Sequence, residues 1–157
     1  MRKKIFILAW MLISTLVMMG QKGEKSIGFN LGYNTTMENL GWGLRFQYNI
    51  ENRFRIAPNF NYYFRNDAAA ITEICLDGHY LFPLKDNFVF YPLIGVNYTC
   101  LSYDNGMNDD TGIGLDFGLG IQVSLTKEVK LNAELKKSVL YDLDDFEVGC
   151  ISLSYSF

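Results

Sequence analysis

The chain has 157 residues, which is enough for one domain. Its formal net charge of −3 makes a nucleic acid an unfavourable partner. Its three cysteines, Cys75, Cys100 and Cys150, are an odd number, with no CxxC pair and no nearby histidine. We therefore predict no structural disulfide, no metal site and no cofactor.

The amino terminus has the pattern of a secretory signal peptide. Three basic residues precede an apolar stretch from Ile5 to Met19, and Gly20-Gln21 follows as the cleavage point. The apolar core is shorter than the roughly 20 residues that a membrane-spanning helix needs. We predict a cleaved signal peptide over residues 1–20 and one mature domain over residues 21–157, with an uncleaved anchor as the alternative.

After the signal, apolar and polar residues alternate in short segments separated by polar turns. This period of two is the pattern of β-strands and not of helices. It is clearest from Leu40 to Ile50, and it recurs with equal regularity from Ile113 to Leu125. Eight strands are predicted, near residues 25–34, 40–50, 52–65, 70–82, 87–100, 112–125, 128–140 and 146–157.

Eight is the smallest common strand number of a transmembrane barrel, and each segment is long enough to cross the hydrocarbon when tilted. An even number puts both chain ends on the same side of the membrane, predicted to be the periplasm. Short turns are expected on that side, at Glu51-Asn52, from Pro83 to Asn87 and at Thr126-Lys127. Mostly longer connections are expected outside, from Asn34 to Asn39, Asn66 to Ala69, Ser102 to Thr111 and Tyr141 to Asp145.

Alternation alone leaves open a soluble barrel of the lipocalin kind, with its apolar face inward. However, the polar face is rich in Gly, Asn and Ser, which suit the narrow interior of an eight-stranded barrel. Aromatic residues such as Trp42, Tyr48 and Phe54 stand near strand ends on the apolar face, as interfacial girdles require. The composition of the two faces favours an all-β, eight-stranded antiparallel up-and-down transmembrane β-barrel.

The final segment has outward apolar residues at Ile151, Leu153 and Tyr155, and it ends on Phe157. With the strand count and the turn pattern, it resembles the closing strand of the small outer-membrane barrels of the OmpX and OmpA-domain type. Gly149 stands where such assembly signals often have glycine. The resemblance covers everything after the signal. It implies a monomeric, porin-like barrel of the Gram-negative outer membrane, in contact with lipid and lipopolysaccharide, and delivered by periplasmic chaperones to the barrel-assembly machinery.

The polar face also carries charges of both signs. A turn centred on Thr126 would place Asp116 opposite Lys136 and Gln122 opposite Lys130. Because a buried charge is costly unless it is paired, we predict a salt-bridged network, the interior charge network, that fills the barrel. Its predicted members are Arg45, Arg53, Arg55, Glu73, Asp77, His79, Asp116, Lys130, Glu134 and Lys136.

No catalytic residue is predicted. His79, the only histidine, invites comparison with outer-membrane lipid enzymes, but it is expected near the periplasmic end, away from outer-leaflet lipid. We expect a non-enzymatic structural or surface-interaction barrel, with a narrow channel and a lipid-modifying enzyme as alternatives. Lys137 is expected on the lipid face near the outer rim, where it contacts a lipopolysaccharide phosphate or extends to water.

Overall fold

The computed structural model describes residues 22–66, 69–103 and 109–157, so the predicted signal peptide lies outside the described residues. Among the residues described, no helix is long and apolar enough to cross a membrane. The strands are β1 (Lys25–Asn34), β2 (Asn39–Glu51), β3 (Phe54–Asn66), β4 (Ala69–Tyr80), β5 (Phe82–Lys85), β6 (Phe88–Ser102), β7 (Asp110–Ser124), β8 (Val129–Leu140) and β9 (Phe146–Ser156).

These nine segments form eight barrel strands, because β4 and β5 are one strand interrupted at Leu81. Both pair with β6 in one register across the interruption, with His79 opposite Leu93 and Phe82 opposite Phe90, and the register shifts only after Pro83. Neighbouring strands are antiparallel throughout, β1 pairs with β9, and the β4–β6 pairing closes the sheet on itself. The predicted eight-stranded antiparallel up-and-down barrel is confirmed.

The predicted turn from Pro83 to Asn87 is wrong in extent. The strand continues to Lys85, and Pro83 lies opposite Val89 within it. The segment β5 pairs with β6 alone, since the pairing of β3 begins at Phe54 opposite Tyr80. A proline is tolerated at such a strand edge because its missing N–H has no partner to lose.

The predicted register between β7 and β8 is wrong by two residues. The connection is wider than a two-residue turn, because the backbone N–H groups of Leu125 and Thr126 both donate to the carbonyl oxygen of Val129. The widening moves every partner along β8 by two positions. The observed partners are Ser138 for Asp116, Gly118 for Lys136, Asn132 for Gln122 and Ser124 for Lys130.

The two faces of the sheet divide as the alternation predicts. Outward side chains are large and apolar, and Leu135 and Ile113 are 72% and 66% exposed. Inward side chains are mostly polar, and Glu73 and Asp116 are fully buried. Charges inside and leucines outside are the reverse of a soluble barrel and match a barrel surrounded by lipid.

The barrel has two different ends. The terminal end carries residues 22–24 and Phe157, and the loop end carries the connections at residues 35–38 and 141–145, together with Tyr103 and Asp109. Buried apolar side chains fill the interior near the loop end, and we call them the loop-end cluster. A second group of buried apolar side chains lies toward the terminal end. The loop-end cluster is Tyr63, Ala69, Ile71, Leu101, Leu140, Phe146 and Val148, and the second group is Leu81, Val89, Tyr91 and Leu93.

Gly120 makes room for the buried side chain of Tyr91. A Cβ atom at Gly120 would lie 2.3 Å from two ring carbons of Tyr91. We therefore expect Gly120→Ala to lower the free energy of unfolding in lipid vesicles by about 1–3 kcal/mol, measured in urea by Trp42 fluorescence. The matched control is Gly78→Ala, because a Cβ there meets nothing closer than 3.6 Å. Equal stability of the two variants would contradict the close packing.

Candidate functional site

The interior is spanned by an ion pair between Arg45 of β2 and Glu134 of β8. Both terminal nitrogens of the guanidinium donate to the two carboxylate oxygens, and Nε donates to Oδ1 of Asn59 at 2.6 Å. The hydroxyl of Tyr91 donates to Oε1 of Glu134 at 2.6 Å. Arg45 is only 4% exposed. A bidentate pair with these additional hydrogen bonds meets the conditions under which buried charges are tolerated.

A second cluster surrounds the ammonium of Lys136. Its Nζ donates to Oε1 of Glu73 at 3.1 Å, to Oδ2 of Asp116 at 3.0 Å and to Sγ of Cys75 at 3.2 Å. Asp116 also accepts a hydrogen bond from the hydroxyl of Ser138 at 2.6 Å. Although the strand register differs from the prediction, Lys136 still reaches Asp116, because long side chains contact diagonal neighbours in a sheet.

The same cluster brings together three groups that can bind a metal ion. The ligand atoms of Glu73, Cys75 and Asp116 lie within 4.8 Å of one another. The ammonium of Lys136 lies within hydrogen-bonding distance of all three. The Lys136 ammonium therefore supplies the positive charge that a metal ion would bring to these three groups.

His79 lies in a stack with Arg55 and Tyr91. Its ring is 4.8 Å from the Tyr91 ring, and the Arg55 guanidinium lies 4.8 Å above the same tyrosine. Nε of Arg55 donates to Nδ1 of His79 at 3.1 Å, so the ring proton is on Nε2. Arg55 also reaches across the interior to Oε1 of Gln122 at 2.6 Å. The His79 ring is therefore held by stacking on Tyr91 and by the hydrogen bond from Arg55.

The remaining predicted members divide between the interior and the surface. Asp77 is buried and accepts a hydrogen bond from Asn59 at 2.7 Å. Lys130 pairs with Glu24 near the terminal end. Arg53 does not belong to the network, because β3 begins after it and its side chain is exposed in the turn. Arg53 is two residues before Arg55, so alternation assigns both to the inward face, but it does not show that the strand begins after Arg53.

Tyr91 and Glu24 contact the network but are not among its predicted members. Tyr91 was missed because β6 has bulky apolar residues on both faces near its start, so alternation does not distinguish inside from outside. The sequence feature that indicates an inward Tyr91 is Gly120, which lies directly opposite in β7 and leaves space for the ring. Glu24 precedes the first strand and has no alternation pattern.

The final strand lies between the first strand and β8, so the two ends of the barrel sequence meet. Ile151, Leu153 and Tyr155 point outward and are exposed, as is Phe157 beyond them. Gly149 lies on the same outward face. These five residues are therefore available on one surface, and their role as an assembly signal stays a prediction.

A small pocket lies among the charges of the interior. A pocket of about 20 Å³, lined by residues that include Arg45, Glu134 and Lys136, has room for about one water molecule. Some polar atoms buried on the β1, β2, β8 and β9 side have no hydrogen-bond partner among the described residues. They are Asn30 Oδ1, Asn34 Nδ2, Asn39 Oδ1, Gln47 Nε2, Asn132 Oδ1, Ser152 Oγ and Ser156 Oγ.

A closed antiparallel barrel of eight strands, apolar outside and charged inside, defines the class of small transmembrane β-barrels. The chain belongs to the family of the outer membrane protein beta-barrel domain, whose sequence model matches residues 14–157. The family implies a location in the bacterial outer membrane. No curated protein sequence matches the chain.

Solved structures share the fold at low sequence identity. The N-terminal β-barrel domain of OprF from Pseudomonas aeruginosa has a TM-score of 0.74 and 14% identity, covering 87% of this chain and 98% of that one. OprG from the same organism has a TM-score of 0.59 and 14% identity, covering 90% and 99%. Ail from Yersinia pestis, in complex with the heparin analogue sucrose octasulfate, has a TM-score of 0.58 and 19% identity, covering 87% and 100%. These similarities concern the fold alone.

Proposed function

We propose that the protein is a non-enzymatic integral outer-membrane barrel whose interior is closed by its own side chains, with both termini in the periplasm. Its role is then structural, or it lies in surface interactions at the loop end. The observation that carries this proposal is the bidentate Arg45–Glu134 pair, which spans the interior from β2 to β8. In this proposal the chaperones and assembly machinery of the periplasm deliver the chain through its closing strand.

The loop-end cluster supports a closed interior. Tyr63, Ile71 and Phe146 are each at most 2% exposed and pack together where an ion would have to enter. A hydrated ion passing this layer would have to displace apolar side chains that cannot replace its water ligands. A narrow channel is the second candidate, favoured by the unpaired polar atoms on the β1 and β9 side, which are suited to bind water.

Planar bilayer recordings distinguish the two candidates. We expect the purified protein to insert without stepwise conductance, with insertion monitored by its heat-dependent gel mobility. A combined Arg45→Ser, Glu134→Ser and Phe146→Ala variant removes both barriers and should conduct if it remains inserted. Stepwise conductance of the unaltered protein would overturn the closed interior and establish the channel.

The enzyme alternative is tested at His79. We expect outer-membrane lipids to have the same composition in cells with the protein, without it, or with His79→Ala. A lipid modification that depends on the protein and disappears in a folded His79→Ala variant would identify an enzyme.

Carboxylates at the loop end indicate what a surface partner would be. Sucrose octasulfate, bound in one Ail structure, is a polyanion, whereas exposed carboxylates on this loop end would repel it. A positively charged partner fits better. We therefore expect no retention on immobilised heparin at physiological salt. The exposed acidic residues are Glu38, Asp109, Asp110, Asp142, Asp144 and Asp145.

A further inference from the structure

Arg55 differs from the other basic side chains of the interior. Four basic side chains are buried in the parts of the chain that the structure describes. Three of them form ion pairs, which are Arg45–Glu134, Lys130–Glu24, and Lys136 with both Glu73 and Asp116. Arg55 is the fourth, and it forms no ion pair with any described carboxylate. A buried charge without a counter-charge is costly, so a negative charge is missing beside Arg55.

The groups that surround the Arg55 guanidinium are all neutral. Nη1 lies 2.6 Å from Oε1 of Gln122 and 3.4 Å from Oε1 of Gln47. Nε and Nη2 lie 3.1 and 3.0 Å from the same atom, Nδ1 of His79. A guanidinium has five N–H donors, and a neutral imidazole nitrogen has one lone pair for them. The π face of Tyr91 stabilises part of the charge, but no partner among the described residues is negative.

Two of these neighbours also carry donors without acceptors. Nε2 of Gln47 and Nε2 of His79 are buried, and neither has a hydrogen-bond partner among the described residues. Because Nδ1 of His79 accepts from Arg55, Nε2 carries the ring proton and can only donate. Oε1 of Gln47 accepts from the hydroxyl of Ser26 at 3.0 Å, which leaves the amide nitrogen as the free donor. A cation and two unused N–H donors are therefore neighbours, which is the composition of an anion site.

This group of side chains lies close to the terminal end. Arg55 is the second residue of β3, and His79 is the last but one of β4. Gln122 lies two residues before the end of β7. An ion from the aqueous phase at the terminal end therefore reaches Arg55 without passing the loop-end cluster.

We propose that Arg55, Gln47 and His79 bind a small monovalent anion, with chloride as the ion that fits. One monovalent anion balances the one buried cation that lacks a carboxylate. A divalent anion would add negative charge close to Glu134, the acceptor of the Tyr91 hydroxyl. The three side chains are at most 3% exposed, so the ion is a small one. The proposal is independent of whether the interior conducts.

Urea unfolding in lipid vesicles, followed by Trp42 fluorescence, tests the proposal. It is measured in sodium chloride and in sodium gluconate of the same ionic strength, because gluconate is too large for a buried site. An ion that binds only the folded state lowers the equilibrium constant of unfolding. Above the dissociation constant, we expect this constant to fall about tenfold for a tenfold rise in chloride. Gluconate should have no such effect.

Three variants assign the effect to Arg55. Arg55→Met removes the cation and should abolish the chloride dependence. The matched control is Lys22→Met, which removes an exposed cation and should keep that dependence. Gln122→Glu places a carboxylate where the amide oxygen now lies 2.6 Å from Nη1 of Arg55. This variant supplies its own negative charge, so it should be stabilised in gluconate and should not respond to chloride.

Crystals grown in bromide show the position of the ion, since bromide is detected by its anomalous scattering. We expect bromide within hydrogen-bonding distance of the Arg55 guanidinium. Equal unfolding in chloride and gluconate would overturn the proposal. A chloride effect that persists in a folded Arg55→Met or Gln122→Glu variant would also overturn it, as would water alone beside Arg55 in the bromide crystals.

Discussion

Replacing Glu134 by alanine should lower the free energy of unfolding by about 3–5 kcal/mol, because it leaves the Arg45 guanidinium buried without a counter-charge. The hydroxyl of Tyr91 loses its acceptor at the same time. Urea unfolding in lipid vesicles, followed by Trp42 fluorescence and by heat-dependent gel mobility, measures the loss.

Two controls separate this effect from the general loss of an ion pair. The double variant Arg45→Met with Glu134→Leu removes both charges and should recover most of the stability, because apolar replacement of a buried pair is often neutral. Glu51→Gln breaks an ion pair with Lys22 that is exposed at both partners, and it should hardly change unfolding. A Glu134→Ala barrel as stable as the Glu51→Gln barrel would show that the interior is hydrated enough to solvate Arg45.

Replacing Lys136 by alanine should have an effect of similar size, about 3–5 kcal/mol, because two buried carboxylates then lose their shared cation. Glu73 and Asp116 are fully buried and each accepts a hydrogen bond from Lys136. The same unfolding measurement applies. Lys137→Ala, at the neighbouring outward position, is the matched control and should leave the interior intact.

The Lys136→Ala variant should also acquire affinity for zinc. Removing the ammonium leaves Glu73, Cys75 and Asp116 around a vacated position, with ligand atoms close enough for zinc–sulfur and zinc–oxygen bonds of about 2.0–2.3 Å. Refolding with zinc should therefore restore part of the lost stability to this variant and none to the unaltered protein. A Lys136→Ala, Cys75→Ala double variant should lose most of the rescue. If zinc does not change the stability of the Lys136→Ala variant, then Glu73, Cys75 and Asp116 are not held in the positions that the structure gives them.

Most of the fold follows from alternation, and the exceptions have local causes. The period of two indicates eight strands and their inward face, because each position points to one side of the sheet. It fails at β6, where Tyr91 is buried although neighbouring positions are equally apolar. It also does not show that β3 begins only after Arg53, since this turn residue continues the alternation of β3.

The interior charge network is predictable as a set of residues but not as a set of pairs. Arg45 and Glu134 both belong to the polar face that alternation predicts, and they are 89 residues apart in the sequence. Their contact crosses the interior, and no spacing along the chain reports such a distance. The β7–β8 register shows the same limit at short range, because a wider connection at Thr126 moved each partner by two residues.

The sequence by itself determined the strand count, the antiparallel order and the separation of an apolar outside from a polar inside, because these depend on local alternation and on turn composition. Only the tertiary structure decided which charges meet and that Lys136 occupies the space between three potential metal ligands. The reason is closure of the sheet. Closure brings β2 near β8 and β1 beside β9, and the contacts across it depend on register and barrel width.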